Sequence, residues 1–178
     1  MRWLPVLLLL PIMEARAAES DDLAVGQEAP QFVLKTLNEK TSSMSSFALR
    51  NFVGDGAQVK KRAVVLSFAA SYCEPCKREL AELKKLKAKL DASNVQLAVV
   101  VIDTEPEGIE KMRQLTVDTL GLEYPVLSDR FGVLAKRYHA ATLPMTVIVK
   151  PDGKIQWLNT GFQNDAIDKL LTQLAIAK

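Results

Sequence analysis

The chain has 178 residues, 48% apolar and 25% charged, with a formal net charge of +2. That length fits one domain with its own core, the apolar fraction argues against overall disorder, and near-balanced charge gives no pull toward nucleic acid. Two cysteines and one histidine exclude a disulfide-rich scaffold and leave any zinc site short of soft ligands.

In chain order, Met1-Arg2 supplies a positive start, Leu4 to Met13 an almost wholly apolar core, and Ala15-Arg16-Ala17 a small-x-small pattern. This is the layout of a secretory signal. The apolar core is too short for a spanning helix, so cleavage after Ala17 is expected and an uncleaved anchor is the alternative. Residues 18–178 then form one exported, soluble domain, periplasmic or otherwise outside the cytosol. Export places the cysteines where disulfides form and persist.

Phe32 to Leu37 reads as a short strand, and residues 38–62 as loop-rich with one helical turn near Phe47–Phe52. Ala63 to Ala70 and Val95 to Ile102 are near-continuous apolar runs, suited to strands buried on both faces. Between them, Leu80, Leu83, Leu86 and Leu90 recur at helical spacing over Glu74 to Ala92. Strand, helix, strand is a parallel βαβ unit. A helix over Glu107 to Asp118, a short strand at Val126-Leu127 and a helix over Arg130 to Tyr138 follow. Met145–Val149 and Ile155–Leu158 are strands joined by the Pro151-Asp152-Gly153-Lys154 turn. An amphipathic helix over Asn164 to Ala177 closes the chain.

Cys73-Glu74-Pro75-Cys76 falls where a buried strand gives way to a helix. Two intervening residues let the sulfurs meet across one helical turn. The first sulfur lies at the helix N-terminus, where unpaired N–H groups and the dipole favour a thiolate. Proline is tolerated in that first turn. A redox-active dithiol fits best. An inert bridge gains little from so small a loop, and a metal pair lacks further ligands; both stay open. Pro144, in Leu143-Pro144-Met145, marks the start of a strand; spacing alone leaves its isomer open.

Ser67-Phe68-Ala69-Ala70-Ser71-Tyr72-Cys73-Glu74-Pro75-Cys76-Lys77-Arg78-Glu79, Leu143-Pro144 before a strand, and the opening Val25-Gly26-Gln27-Glu28-Ala29-Pro30-Gln31-Phe32 together resemble the thioredoxin-like superfamily. The branch is the exported TlpA/ResA-type thiol-disulfide oxidoreductases of the redoxin group, over residues 25–176. The resemblance implies an α/β thioredoxin-like fold: a central mixed sheet flanked by helices, an N-terminal extension and a helix-strand insert over residues 104–128. It implies that Cys73 attacks, that Cys76 resolves, and that Pro144 is cis and faces the disulfide. Leu143 then offers backbone hydrogen bonds to substrate, Tyr72 covers the site, and Glu79 accepts or relays the resolving thiol's proton. Glu79 is also legible as an ordinary helix-surface carboxylate. Tyr72 stands where the family usually has Trp, and Ser67 where thioredoxin has a buried acid.

The resemblance implies no cofactor beyond the Cys73–Cys76 dithiol. It implies disulfide-bearing protein substrates and a membrane thiol-transfer protein as electron donor; apocytochrome c, another exported protein and a general pool remain open as targets. Glu74, lying between the cysteines, disfavours a thiolate by like-charge repulsion and so points to a reductant. Two alternatives stand beside this reading. A redoxin-group thiol peroxidase is weakened because Phe68 to Cys73 lacks the proline of the peroxidatic context. A copper-binding chaperone would use Cys73, Cys76 and His139.

Overall fold

The computed structural model describes residues 23–177; the expected signal segment, residues 1–17, lies outside them. Among the described residues no helix is long and apolar enough to cross a membrane.

The apolar runs become the centre of the molecule. Strands β3 (Ala63–Ala69) and β4 (Val95–Val101) pair in parallel. Their alternate residues are buried on opposite faces, so neither strand has a solvent side. β5 (Val126–Ser128) adds in parallel outside β4, while β6 (Met145–Val149) and β7 (Ile155–Thr160) add antiparallel beside β3. The order β5-β4-β3-β6-β7 is the expected central mixed sheet. Outside it, β1 (Val33–Lys35) and β2 (Ser46–Ala48) form a small antiparallel pair.

One sheet face carries Val65, Val99, Val101 and Ile148. It packs under α2 (Glu74–Ala92), α3 (Pro106–Arg113) and α5 (Ala166–Gln173) through Leu80, Leu83, Leu90, Met112 and Leu170. The other face carries Val64, Leu66, Phe68, Val100 and Val147. It packs under the N-terminal segment and α4 (Val133–Arg137) through Phe47, Leu49, Leu134 and Tyr138. Each buried leucine of α2 stabilises the fold by about 1.5–3 kcal/mol.

Several expectations shift by a turn. The helical turn near Phe47–Phe52 is β2 followed by a 3-10 turn, Leu49–Asn51. A short helix α1, Glu39–Ser42, precedes it. The helix expected over Glu107–Asp118 is α3 followed by a π-helical turn, Gln114–Thr119. There Thr116 Oγ1 donates to the Met112 carbonyl at 2.7 Å, competing with the helical ladder. The closing helix ends at Gln173 because Ala175 turns left-handed, with φ 47°. Ile176 N–H then bonds the Leu171 carbonyl and Ala175 N–H the Thr172 carbonyl, a Schellman stop.

Candidate active site

β3, β4 and β5 run in parallel, so their C-terminal ends share one edge of the sheet. β6 is antiparallel, so its start lies on that edge too. The loop leaving β3 delivers Cys73 there, and Cys73 caps α2 in extended backbone. Cys76 N–H donates to Cys73 Sγ at 3.2 Å. The two cysteines are joined in a disulfide with Cα atoms 5.3 Å apart. Cys73 is 7% exposed and Cys76 1%, so the first sulfur is the accessible one.

The Leu143–Pro144 peptide is cis. Phe68 opposes Met145 across β3 and β6, which sets Pro144 beside the end of β3, where the chain leaves for Cys73. Leu143 packs against the cluster that contains both cysteines. Tyr72 stands clear of the surface at 73% exposure.

Glu79 is not a surface carboxylate: it is 6% exposed. Ser67 and Thr146 face each other across β3 and β6, on the side that α2 covers. Both donate to Glu79 Oε1, Thr146 Oγ1 at 2.9 Å and Ser67 Oγ at 3.2 Å. Burial raises the Glu79 pKa above 4.5, and the two hydrogen bonds draw it back down. The carboxyl that the sheet lacks at Ser67 is thus supplied from the helix, one turn beyond Cys76.

Glu74 behaves differently. It points to solvent and pairs with Lys77, so its repulsion of a thiolate is screened. Of the two glutamates, the buried one is Glu79.

Asp103 was invisible in the sequence. It sits just past β4, buried, and its carboxylate accepts from Ser71 N–H at 2.9 Å and Ser71 Oγ at 2.6 Å. It pins the loop that carries Cys73. Gly108 lies against it: a Cβ there would overlap Asp103 Oδ1 and come within 2.9 Å of its Cγ. No short motif announces the pair, because Ser71 and Asp103 are 32 residues apart.

The copper alternative is not assembled. Among the described residues no group of three His, Cys, Asp or Glu is placed to hold a metal ion. His139 is exposed after α4, in a left-handed conformation with φ 52°.

Known proteins resemble this chain in sequence and in fold. The AhpC/TSA family model matches residues 25–158. The thioredoxin-like protein YneN of Bacillus subtilis is 30% identical over 169 residues, covering 90% of each chain. The thiol-disulfide oxidoreductase ResA of Oceanobacillus iheyensis is 31% identical over 137 residues, 77% of this chain and 65% of its own. Among solved structures, a Chlorobium tepidum protein assigned as thiol:disulfide interchange protein DsbE superposes with a TM-score of 0.70 at 23% identity, over 86% of this chain and 97% of that one. That likeness shows the thioredoxin-like fold; sequence identity and the built dithiol carry the rest. This chain is a member of the AhpC/TSA family, on the side of it that holds the ResA-like thiol-disulfide oxidoreductases.

Proposed function

We propose that the Cys73–Cys76 dithiol reduces disulfides in exported proteins. The observation that carries this reading is the placement of Cys73 Sγ at the cap of α2, facing the Cys76 N–H, with a buried carboxylate one turn further on.

A Cys73 thiolate attacks one sulfur of a target disulfide and the other sulfur leaves as thiolate. The mixed disulfide so formed is broken when Cys76 attacks Cys73 Sγ, and the target's second sulfur leaves. Two electrons pass from the dithiol to the target, whose thiolates take up protons. Glu79 accepts the Cys76 proton; burial raises its pKa above the ordinary 4.5, which makes its ionised form the stronger proton acceptor. Leu143 and Pro144 form the ledge on which the target backbone rests, with Tyr72 against its flank. The reaction needs no cofactor beyond the dithiol. A membrane thiol-transfer protein returns the electrons after each turnover.

The signal-like layout of Met1 to Ala17 supports export to the periplasm or its equivalent, where protein disulfides are the available substrates. A disulfide between the haem-site cysteines of apocytochrome c is one target of the right chemistry.

Replacing Cys76 by Ser leaves Cys73 unable to be released, so mixed disulfides with target proteins accumulate during export. Cys73→Ser abolishes them. If no mixed disulfide forms in Cys76→Ser, the reading fails. Rapid thiol-dependent peroxide consumption by the wild type would replace it with a peroxidase.

A further inference from the structure

Arg78 and Phe162 join the dithiol helix to the loop after β7. Arg78 lies on α2 two residues beyond Cys76, and its guanidinium sits 4.3 Å from the centre of the Phe162 ring. Gly161, next to Phe162, donates its N–H to the Pro144 carbonyl at 2.8 Å. The loop after β7 is therefore tied both to the cis-proline and to the second turn of α2.

A cleft of about 350 Å³ opens between α2 and this loop, and Arg78, Glu79, Glu82 and Phe162 are among its lining residues. Of these four, only Glu79 is buried. A second void is bounded by Glu79, Thr146, Trp157, Asn159 and Leu170 and has no room for a water molecule. Glu79, Ala166 and Ile167 line both. Glu79 thus stands between a cleft open to water and a dry interior.

Few charges face it. Ser67 on β3 and Thr146 on β6 are hydroxyl donors. Trp157 and Asn159 on β7, and Ala166, Ile167 and Leu170 on α5, do not titrate. Tyr124, before β5, has its hydroxyl pKa pushed far up by burial and then by the Glu79 charge, so it stays protonated. On α2 itself, Cys76 lies one turn earlier, and Arg78 and Glu82 are exposed. Exclusion of water is the largest influence on the carboxyl.

We propose that Phe162, steadied by Arg78, is a positioning residue for the proton transfer: the pair narrows the cleft and limits the water that reaches the Glu79 carboxylate. Phe162 acts as a wall, and Arg78 acts by stacking on it rather than by its charge. This role rests on Glu79 accepting the Cys76 proton.

The test is the pH dependence of mixed-disulfide resolution in the full-length protein. The reduced protein is mixed with one equivalent of an aromatic disulfide that yields a coloured thiolate at each step, and the second release reports attack by Cys76. In Phe162→Ala, water reaches the charged carboxylate, its pKa falls toward the ordinary 4.5, and the acid limb moves to lower pH by about half a pH unit. Phe162→Leu, which keeps apolar cover without the stacking, moves the limb less in the same direction. Phe162→Trp, which keeps both, restores the wild-type limb. Arg78→Gln gives a smaller move, also to lower pH. An unmoved limb in both Phe162→Ala and Phe162→Leu overturns the proposal, even where the rate drops at every pH. So does a limb moved to higher pH in Arg78→Gln, because removal of a cation that acts by its charge raises a carboxyl pKa. A limb that persists in Glu79→Gln would instead overturn the role of Glu79, and failure to release the first thiolate would overturn the dithiol reading itself.

Discussion

Thr146 Oγ1 donates a 2.9 Å hydrogen bond to Glu79 Oε1, and it does so because strand register sets Thr146 opposite Ser67, the second donor to the same oxygen. Two strands and one helix thus converge on a single carboxylate oxygen. Burial favours the neutral acid, while the hydroxyls favour the charged form. Removing the Thr146 hydroxyl leaves burial less opposed, so the Glu79 pKa rises further. If Glu79 takes the Cys76 proton as its charged form, the acid limb of the pH–rate profile for mixed-disulfide resolution moves to higher pH in Thr146→Val. The limb disappears in Glu79→Gln. An unmoved acid limb in both variants would remove Glu79 from the reaction. Thr146→Val also costs about 1–3 kcal/mol in denaturant unfolding, for the weakened satisfaction of a buried acceptor.

The same carboxyl sets a pH dependence of stability. Its folded-state pKa lies above the ordinary 4.5, so the native state holds the proton more tightly than the unfolded chain. That contribution is fully present below the ordinary value and is lost as pH rises through the raised one. Glu79→Gln lacks the loss. Its stability relative to wild type therefore improves from acid toward neutral pH, as read by urea midpoints at each pH. A constant difference across that window would contradict the burial argument.

Asp103 and Gly108 form a matched pair. Asp103→Ala frees the Ser71 N–H and costs about 1–3 kcal/mol. Gly108→Ala forces a methyl into the Asp103 carboxylate and costs a similar amount. In the double variant the added methyl meets no carboxylate, so the two costs do not add. Full additivity in denaturant midpoints would show that the contact is not shared. Both single variants also slow disulfide exchange, because the loop that aims Cys73 loses its anchor.

Glu74 and Glu79 differ in their hold on the dithiol. Glu74 is solvated and paired with Lys77; an exposed pair of this kind has a median worth of ~0–1 kcal/mol. Glu74→Gln therefore shifts the reduction potential by less than about 20 mV. Glu79→Gln removes the buried carboxyl, whose ionised form opposes a thiolate and is shielded from solvent. It moves the potential further, toward more oxidising values. A larger effect from Glu74→Gln would reverse this assignment.

The sequence makes the dithiol legible because its parts are local: a buried apolar strand, a helix period in Leu80, Leu83 and Leu90, and the cysteines at their junction. Glu79 is half legible. Helical spacing puts it near Cys76, but only the pairing of Ser67 with Thr146 shows what it meets. Asp103 and the cleft beside α2 are not legible, since each joins residues far apart in the chain: Ser71 with Asp103, and Arg78 with Phe162. The π-helical turn at Gln114–Thr119 escapes for another reason. A buried threonine bonding back to a helical carbonyl looks, in sequence, like any threonine in a helix. Glu74 misleads because its charge is obvious and its partner, Lys77, is equally so; only exposure tells how little of that charge reaches the sulfur.

The reduction potential of Cys73–Cys76, measured by equilibration against a thiol–disulfide buffer at neutral pH, separates a reductant from an oxidant. A dithiol with a buried carboxylate one turn beyond Cys76 holds its thiolate poorly once that carboxylate is ionised, and so gives up electrons readily. The expected value lies near that of thioredoxin, about −270 mV. A value near that of the strong periplasmic oxidants, about −120 mV, would contradict it and make the protein a donor of disulfides.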